Sequence, residues 1–154
     1  MKEYLSVARL YMIVLAIFTI GRLAVGFRGV PYEKGHAIFS LVTMSLMAAT
    51  FHGAFCRRWR GYTVTQAMGL GATIAVLAQA VILVITVLSY ALHLDTYFVN
   101  PRAILGPSGA GPVGFGVALG SRVGGAVVNV AMCAVAAALG WIMGVTLPEP
   151  GRAA

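Results

Sequence analysis

Long apolar runs alternate with short polar breaks along the whole chain. The first run covers about Tyr4 to Phe27 and ends at RGVPYEKGH, where Pro31 and Gly35 interrupt the pattern and Arg28, Glu33 and Lys34 return to water. The second is AIFSLVTMSLMAATFHGAFC, Ala37 to Cys56, stopped by RRWRGY. A third extends from about Val64 to Leu94, and a fourth ends at Leu147 before PEPGRAA. A helix needs roughly 20 mostly apolar residues to cross the hydrocarbon of a bilayer. The pattern therefore predicts an all-α integral membrane protein, a single membrane domain over residues 1–154 built as a bundle of four transmembrane helices (4–27, 37–56, 64–94 and 113–147). The third helix would be about 46 Å long and must tilt or protrude. No small-x-small cleavage pattern follows the first run, so it reads as a retained anchor and not a signal peptide.

A Gly-rich stretch, AILGPSGAGPVGFG, leads into the fourth helix. The outer loop 95–112, DTYFVNPRAILGPSGAGP, reads either as a flexible linker or as a segment dipping back among the helices, which is tolerated only where protein or water covers its backbone. A fourth helix starting at Val113 carries Arg122 about 13 Å along its length; one starting near Val123 leaves Arg122 at the boundary.

Cations in short loops set the orientation. Arg57, Arg58 and Arg60 crowd loop 57–63, which reads as cytoplasmic. Both termini then lie inside, with Lys2 and Arg152 agreeing, in a bacterial inner membrane. Trp59, Tyr62 and Tyr97 fall where interfacial aromatics are expected.

Residues set at 100° intervals give the fourth helix two distinct sides. Gly116, Gly120 and Gly124 form one stripe, a glycine zipper that lets another backbone approach closely in lipid. Arg122, Asn129 and Cys133 lie roughly opposite. On the third helix Ala72, Ala75, Gln79, Thr86, Tyr90 and His93 share a face. The second helix carries His36, Ser40, Thr43, Met47 and Thr50 on one stripe and Ser45, His52 and Cys56 on another, and the first contributes Thr19 and Arg22. Hydroxyls and amides on such seams are expected to bond across to neighbouring helices.

Composition agrees with this class. Hydrophobic residues make up 60% of the chain and charged ones 10%, against about a quarter charged in a soluble domain. The net charge of +7 comes from eleven Lys and Arg against only four acids. Without a basic stripe interleaved with exposed aromatics, a nucleic-acid partner is not expected. The two cysteines, Cys56 and Cys133, read as packing thiols.

Candidate chemistry is sparse. Arg22, and Arg122 if the fourth helix starts at Val113, fall in the outer half, where the acids are Glu33 and Asp95 at loop edges, so the arginines either snorkel to headgroups or pair with these acids, or meet an acid on a partner or an anionic ligand. His36 and His93 meet the minimum for axial ligation of one haem b. His52 lies about 24 Å along the helix from His36 and cannot share it. No carboxylate stands in any span for a proton relay, and no HExxH, GxSxG or GxxxxGK[ST] pattern occurs.

These features predict a small non-catalytic subunit without a cofactor. It would assemble with itself or within a larger membrane complex through Gly116, Gly120 and Gly124, with Arg22, Arg122 and Asn129 meeting a partner's acids or anionic lipid. A redox subunit holding haem b or a quinone near His36 and His93 is the alternative. A channel or transporter for an anion or a neutral solute is a further one.

Overall fold

The computed structural model describes residues 2–148, which are helical with no strand among them. The elements are α1 (Lys2–Val7), α2 (Arg9–Phe27), α3 (Tyr32–Gly35), α4 (Leu41–Arg60), α5 (Val64–Ala91), α6 (Pro101–Leu105) and α7 (Phe115–Met143), followed by a 3₁₀ turn, Gly144–Thr146. Three stretches are long and apolar enough to cross a membrane: Arg9–Phe27, Val64–Ala91 and Phe115–Thr146, with mean hydropathies of 2.1, 2.4 and 2.1. α4 is long but not among them, because Thr43, Ser45, Thr50 and His52 interrupt its apolar surface and three arginines fill its last turn.

Local chemistry sets the helix ends. Ser40 accepts a hydrogen bond from the Thr43 N–H and starts α4 at Leu41, so residues 36–39, expected in the second helix, form a turn in which Phe39 has φ 52°. α4 then continues through the arginines to Arg60 and stops at the left-handed Gly61. Thr63 and Gln66 form a reciprocal capping box at the start of α5. α5 ends at Ala91, short of the expected Leu94. The Leu94 N–H bonds back to the Ser89 carbonyl at 2.8 Å and His93 takes φ 52°, the arrangement of a Schellman turn in which glycine is the usual left-handed residue.

α4, α5 and α7 pack as one block. Glycines allow the close approach: a Cβ at Gly140 would land on the Thr50 carbonyl, one at Gly53 on the Ala137 carbonyl, and one at Gly71 on the Cys133 carbonyl. Helices meeting backbone to backbone in this way gain packing that lipid tails cannot supply. Asn129, 3% exposed, donates to the Ser45 hydroxyl at 3.4 Å across the same seam. Cys56 and Cys133 are both buried and reduced. α2 is held more loosely, with a 430 Å³ cleft between it and α4 lined by Tyr11, Val14, Met47 and His52 among others.

Most seam hydroxyls do not bond across helices as expected. Thr19, Thr50 and Thr86 donate to the carbonyls of Leu15, Leu46 and Ile82 in their own helices. A threonine can always reach the carbonyl one turn back, so it needs no neighbour. Of the aromatics in the connections, Tyr62 and Tyr97 are packed against the bundle, 8% and 5% exposed. Arg152, invoked for orientation, lies outside the described residues.

Candidate functional site

The ends of α2 and α5, the start of α7 and the two long connections gather at one end of the bundle. Residues 96–98 are buried there, with the Tyr97 hydroxyl donating to the Val30 carbonyl at 2.6 Å and the Ser89 and Thr96 hydroxyls 2.9 Å apart. Asn100 caps α6 through the Arg102 N–H, and Pro101 opens that helix, where its missing N–H costs nothing. α6 then lies alongside α7, because Ser121 donates to the Ile104 carbonyl at 2.6 Å. The connection between α5 and α7 is thus a folded strap and not a flexible linker. α7 begins at Phe115, so Arg122 sits about 10 Å inside it.

This strap brings the two arginines together. Arg22 Nη1 donates to the carbonyls of His36 (3.0 Å) and Ile38 (3.3 Å), and its guanidinium lies 5.4 Å from the Tyr97 ring centre and 5.9 Å from that of Phe98. Arg122 Nη2 donates to the Phe98 carbonyl at 2.8 Å and Nη1 to the Ala103 carbonyl at 3.3 Å, while its Nε is buried without a partner. Both side chains line one cavity of about 50 Å³, together with Ser40, Tyr97 and Phe98. Arg122 also lines a second cavity of 350 Å³ with Gln79, Ser121, Asn129 and Met132, and Val42 and Ile82 are common to the two.

Neither expected acid meets these guanidiniums. Glu33 pairs with Arg102, the one ion pair among the described residues, and Asp95 is exposed and unpaired there. Backbone carbonyls take their place, offering partial charge and no neutralisation. No carboxylate lines either cavity.

The other singled-out residues fall elsewhere. His36 is exposed, with Nδ1 3.1 Å from the Glu33 carbonyl and its ring beside Tyr32. The cavity that His36 lines, with Tyr32, Glu33, Arg102 and Pro107, does not include His93, which lies beyond the end of α5 and is exposed. Asn129 is committed to Ser45 inside the bundle. Gly116, Gly120 and Gly124 point away from the chain, and a Cβ at any of them would meet nothing within 4 Å. The close-packed glycines at this end of the chain are instead Gly140 of α7 and Gly144, which opens the 3₁₀ turn after it, a GxxxG pair that GWIMG displays in the sequence.

Among the described residues no three His, Cys, Asp or Glu side chains gather as a metal site would require. No family model, curated protein or solved structure matches the chain.

Proposed function

We propose that the protein is a small, non-catalytic integral membrane subunit whose α7 docks, by its outward face near Gly120, on a helix of a second polypeptide, either another copy or a member of a larger inner-membrane complex. The bare glycine stripe carries this reading. Each glycine inside a helix costs about 1 kcal/mol relative to alanine. At Gly53, Gly71 and Gly140 close backbone contact offsets that cost, but at Gly116, Gly120 and Gly124 nothing among the described residues does so. A partner backbone seated on the stripe would restore the balance. Val127, 68% exposed, continues the same surface.

In this reading α4 is the fourth crossing. Its 20 residues span about 30 Å, sufficient for the hydrocarbon. Arg57, Arg58 and Arg60 at its end assign that end, and with it both chain termini, to the cytoplasm.

Native mass spectrometry from mild detergent tests the reading. The unaltered protein should appear as an oligomer or with co-purifying subunits, and Gly120→Leu should release the monomer. A monomeric parent protein, or an assembly unchanged by Gly120→Leu, would overturn it.

A further inference from the structure

Two guanidiniums share one small cavity that no carboxylate of the described residues lines, and beside them a glutamine side chain lines a second cavity. Gln79 is 6% exposed, lines the 350 Å³ cavity and makes no hydrogen bond to the described residues. Arg122 contributes a second unmet donor, its buried Nε. Buried polar groups in native proteins are almost always satisfied, so the buried, unpartnered Nε of Arg122 beside a second guanidinium, with the Gln79 side chain lining the adjoining cavity, points to a missing partner.

The shape and chemistry of the two cavities define that partner. The smaller, about 50 Å³, holds roughly three or four waters, or one compact oxyanion. Arginine suits this ligand because its planar fork matches phosphate and carboxylate oxygens. Carbonyls already orient both guanidiniums, so each presents its remaining N–H groups without having to be ordered on binding. Positive charge so far inside a bilayer is costly unless an anion accompanies it.

The larger cavity is amphipathic. Gln79 and Ser121 contribute polar edges, whereas Val42, Val128 and Met132 form walls that are 40%, 58% and 47% exposed toward the lipid-facing surface. Val42, Ile82 and Arg122 belong to both cavities, so one ligand can occupy the two together.

We propose that Arg22, Arg122 and Gln79 form a binding site for an anionic amphiphile. A phosphate-type oxyanion sits between the two arginines, an ester or hydroxyl oxygen near the head meets the Gln79 amide, and the hydrocarbon chain runs out along Val42, Val128 and Met132. This site does not depend on assembly through α7.

Delipidated protein in a neutral detergent, titrated with phosphatidylglycerol, phosphatidylcholine or inorganic phosphate and followed by native mass spectrometry and thermal unfolding, tests it. Phosphatidylglycerol should bind one to one, at least tenfold more tightly than phosphatidylcholine, and inorganic phosphate should bind far more weakly because it lacks the chain. Arg22→Gln combined with Arg122→Gln should abolish the preference.

Should that double variant fail to fold, Gln79→Leu keeps the test open. It replaces an unpartnered amide with an apolar side chain, so it should unfold at the same or a higher temperature yet bind phosphatidylglycerol several-fold more weakly. A purely structural glutamine would lose stability and leave lipid binding intact, which would overturn the proposal. So would equal binding of the two lipids, or a site filled by phosphate alone at the affinity of the lipid. Refusal of all three ligands by folded protein would assign the arginines to a partner's carboxylate and refute the site. Repeating the titration on Gly120→Leu separates this result from the assembly reading.

Discussion

Arg57 lies against the face of Trp141, its guanidinium carbon 3.8 Å from the ring centre, and the same side chain donates through Nη1 to the Trp141 carbonyl at 3.0 Å. The indole in turn donates through Nε1 to the Tyr62 carbonyl at 2.6 Å. Arg57 thus ties the end of α4 to α7, and the indole ties α7 to the connection into α5. A partly desolvated cation–π contact is worth about 0.5–2 kcal/mol and the hydrogen bond about another 1. Arg57→Ala should therefore lower the unfolding free energy by about 2 kcal/mol, measured by denaturant titration in detergent with circular dichroism. Arg57→Lys should recover less than half of it, since an ammonium cannot lie flat on the ring. Equal stability of Arg57→Ala and the parent protein would refute the contact as a fastener.

The contrast between glycines on α7 gives a second expectation. Gly140→Ala forces a methyl into the Thr50 carbonyl and must push α4 and α7 apart, at a cost of about 1–3 kcal/mol by the usual scale of overpacking. Gly116→Ala meets open space within the chain and should leave the unfolding of the monomer unchanged or improve it by up to about 1 kcal/mol. Both are read from thermal unfolding in the same detergent. A larger loss at Gly116 than at Gly140 would mean that the helix faces are reversed.

His93 provides a third. It occupies a left-handed position with φ 52°, where a side chain with a Cβ costs roughly 1 kcal/mol. His93→Gly should raise stability by about that amount, measured as an upward shift in unfolding temperature. A loss of stability together with loss of visible absorbance would instead identify His93 as a cofactor ligand.

At the start of α5 the Thr63 hydroxyl accepts from the Gln66 N–H, and the Gln66 side chain accepts from the Thr63 N–H at 2.9 Å. Thr63→Ala should cost about 1 kcal/mol, and Thr63→Ser should cost little. Denaturant titration of the two variants side by side checks this, and equal losses would mean that the methyl rather than the hydroxyl matters.

Periodicity exposed the large features because lipid imposes them: Val64–Ala91 and Phe115–Met143 are continuous helices for the same reason that they are continuous apolar runs. It also set Asn129 and Cys133 on one side of α7, opposite the glycine stripe, and Gln79 on a seam of α5, and both helices bury them. Which glycine stripe faces inward was not readable in the same way. A small residue permits close approach but does not say where the neighbour stands, and that depended on Gly53 and Gly71 lying opposite the Gly140 region. The arginine site was half visible: Arg22 and Arg122 fall at similar depth, but their partners are main-chain carbonyls of His36, Ile38, Phe98 and Ala103. Every residue carries a carbonyl, so no residue type marks the ones that a folded strap will present. His93 was misplaced because helical spacing extends a face for as long as the helix is assumed to run.

The order of the helices along the chain has a consequence for biogenesis. α7, synthesised after α4 and α5, is the helix against which both are wedged. Until it is inserted, the seam glycines of α4 and α5 have lipid where a backbone belongs, and the strap carrying Phe98 and Ala103 has no Arg122 to hold it. Nascent chains halted before residue 115 should therefore sit in the bilayer as loosely associated helices, open to quality-control proteases, and acquire resistance in one step once α7 is inserted.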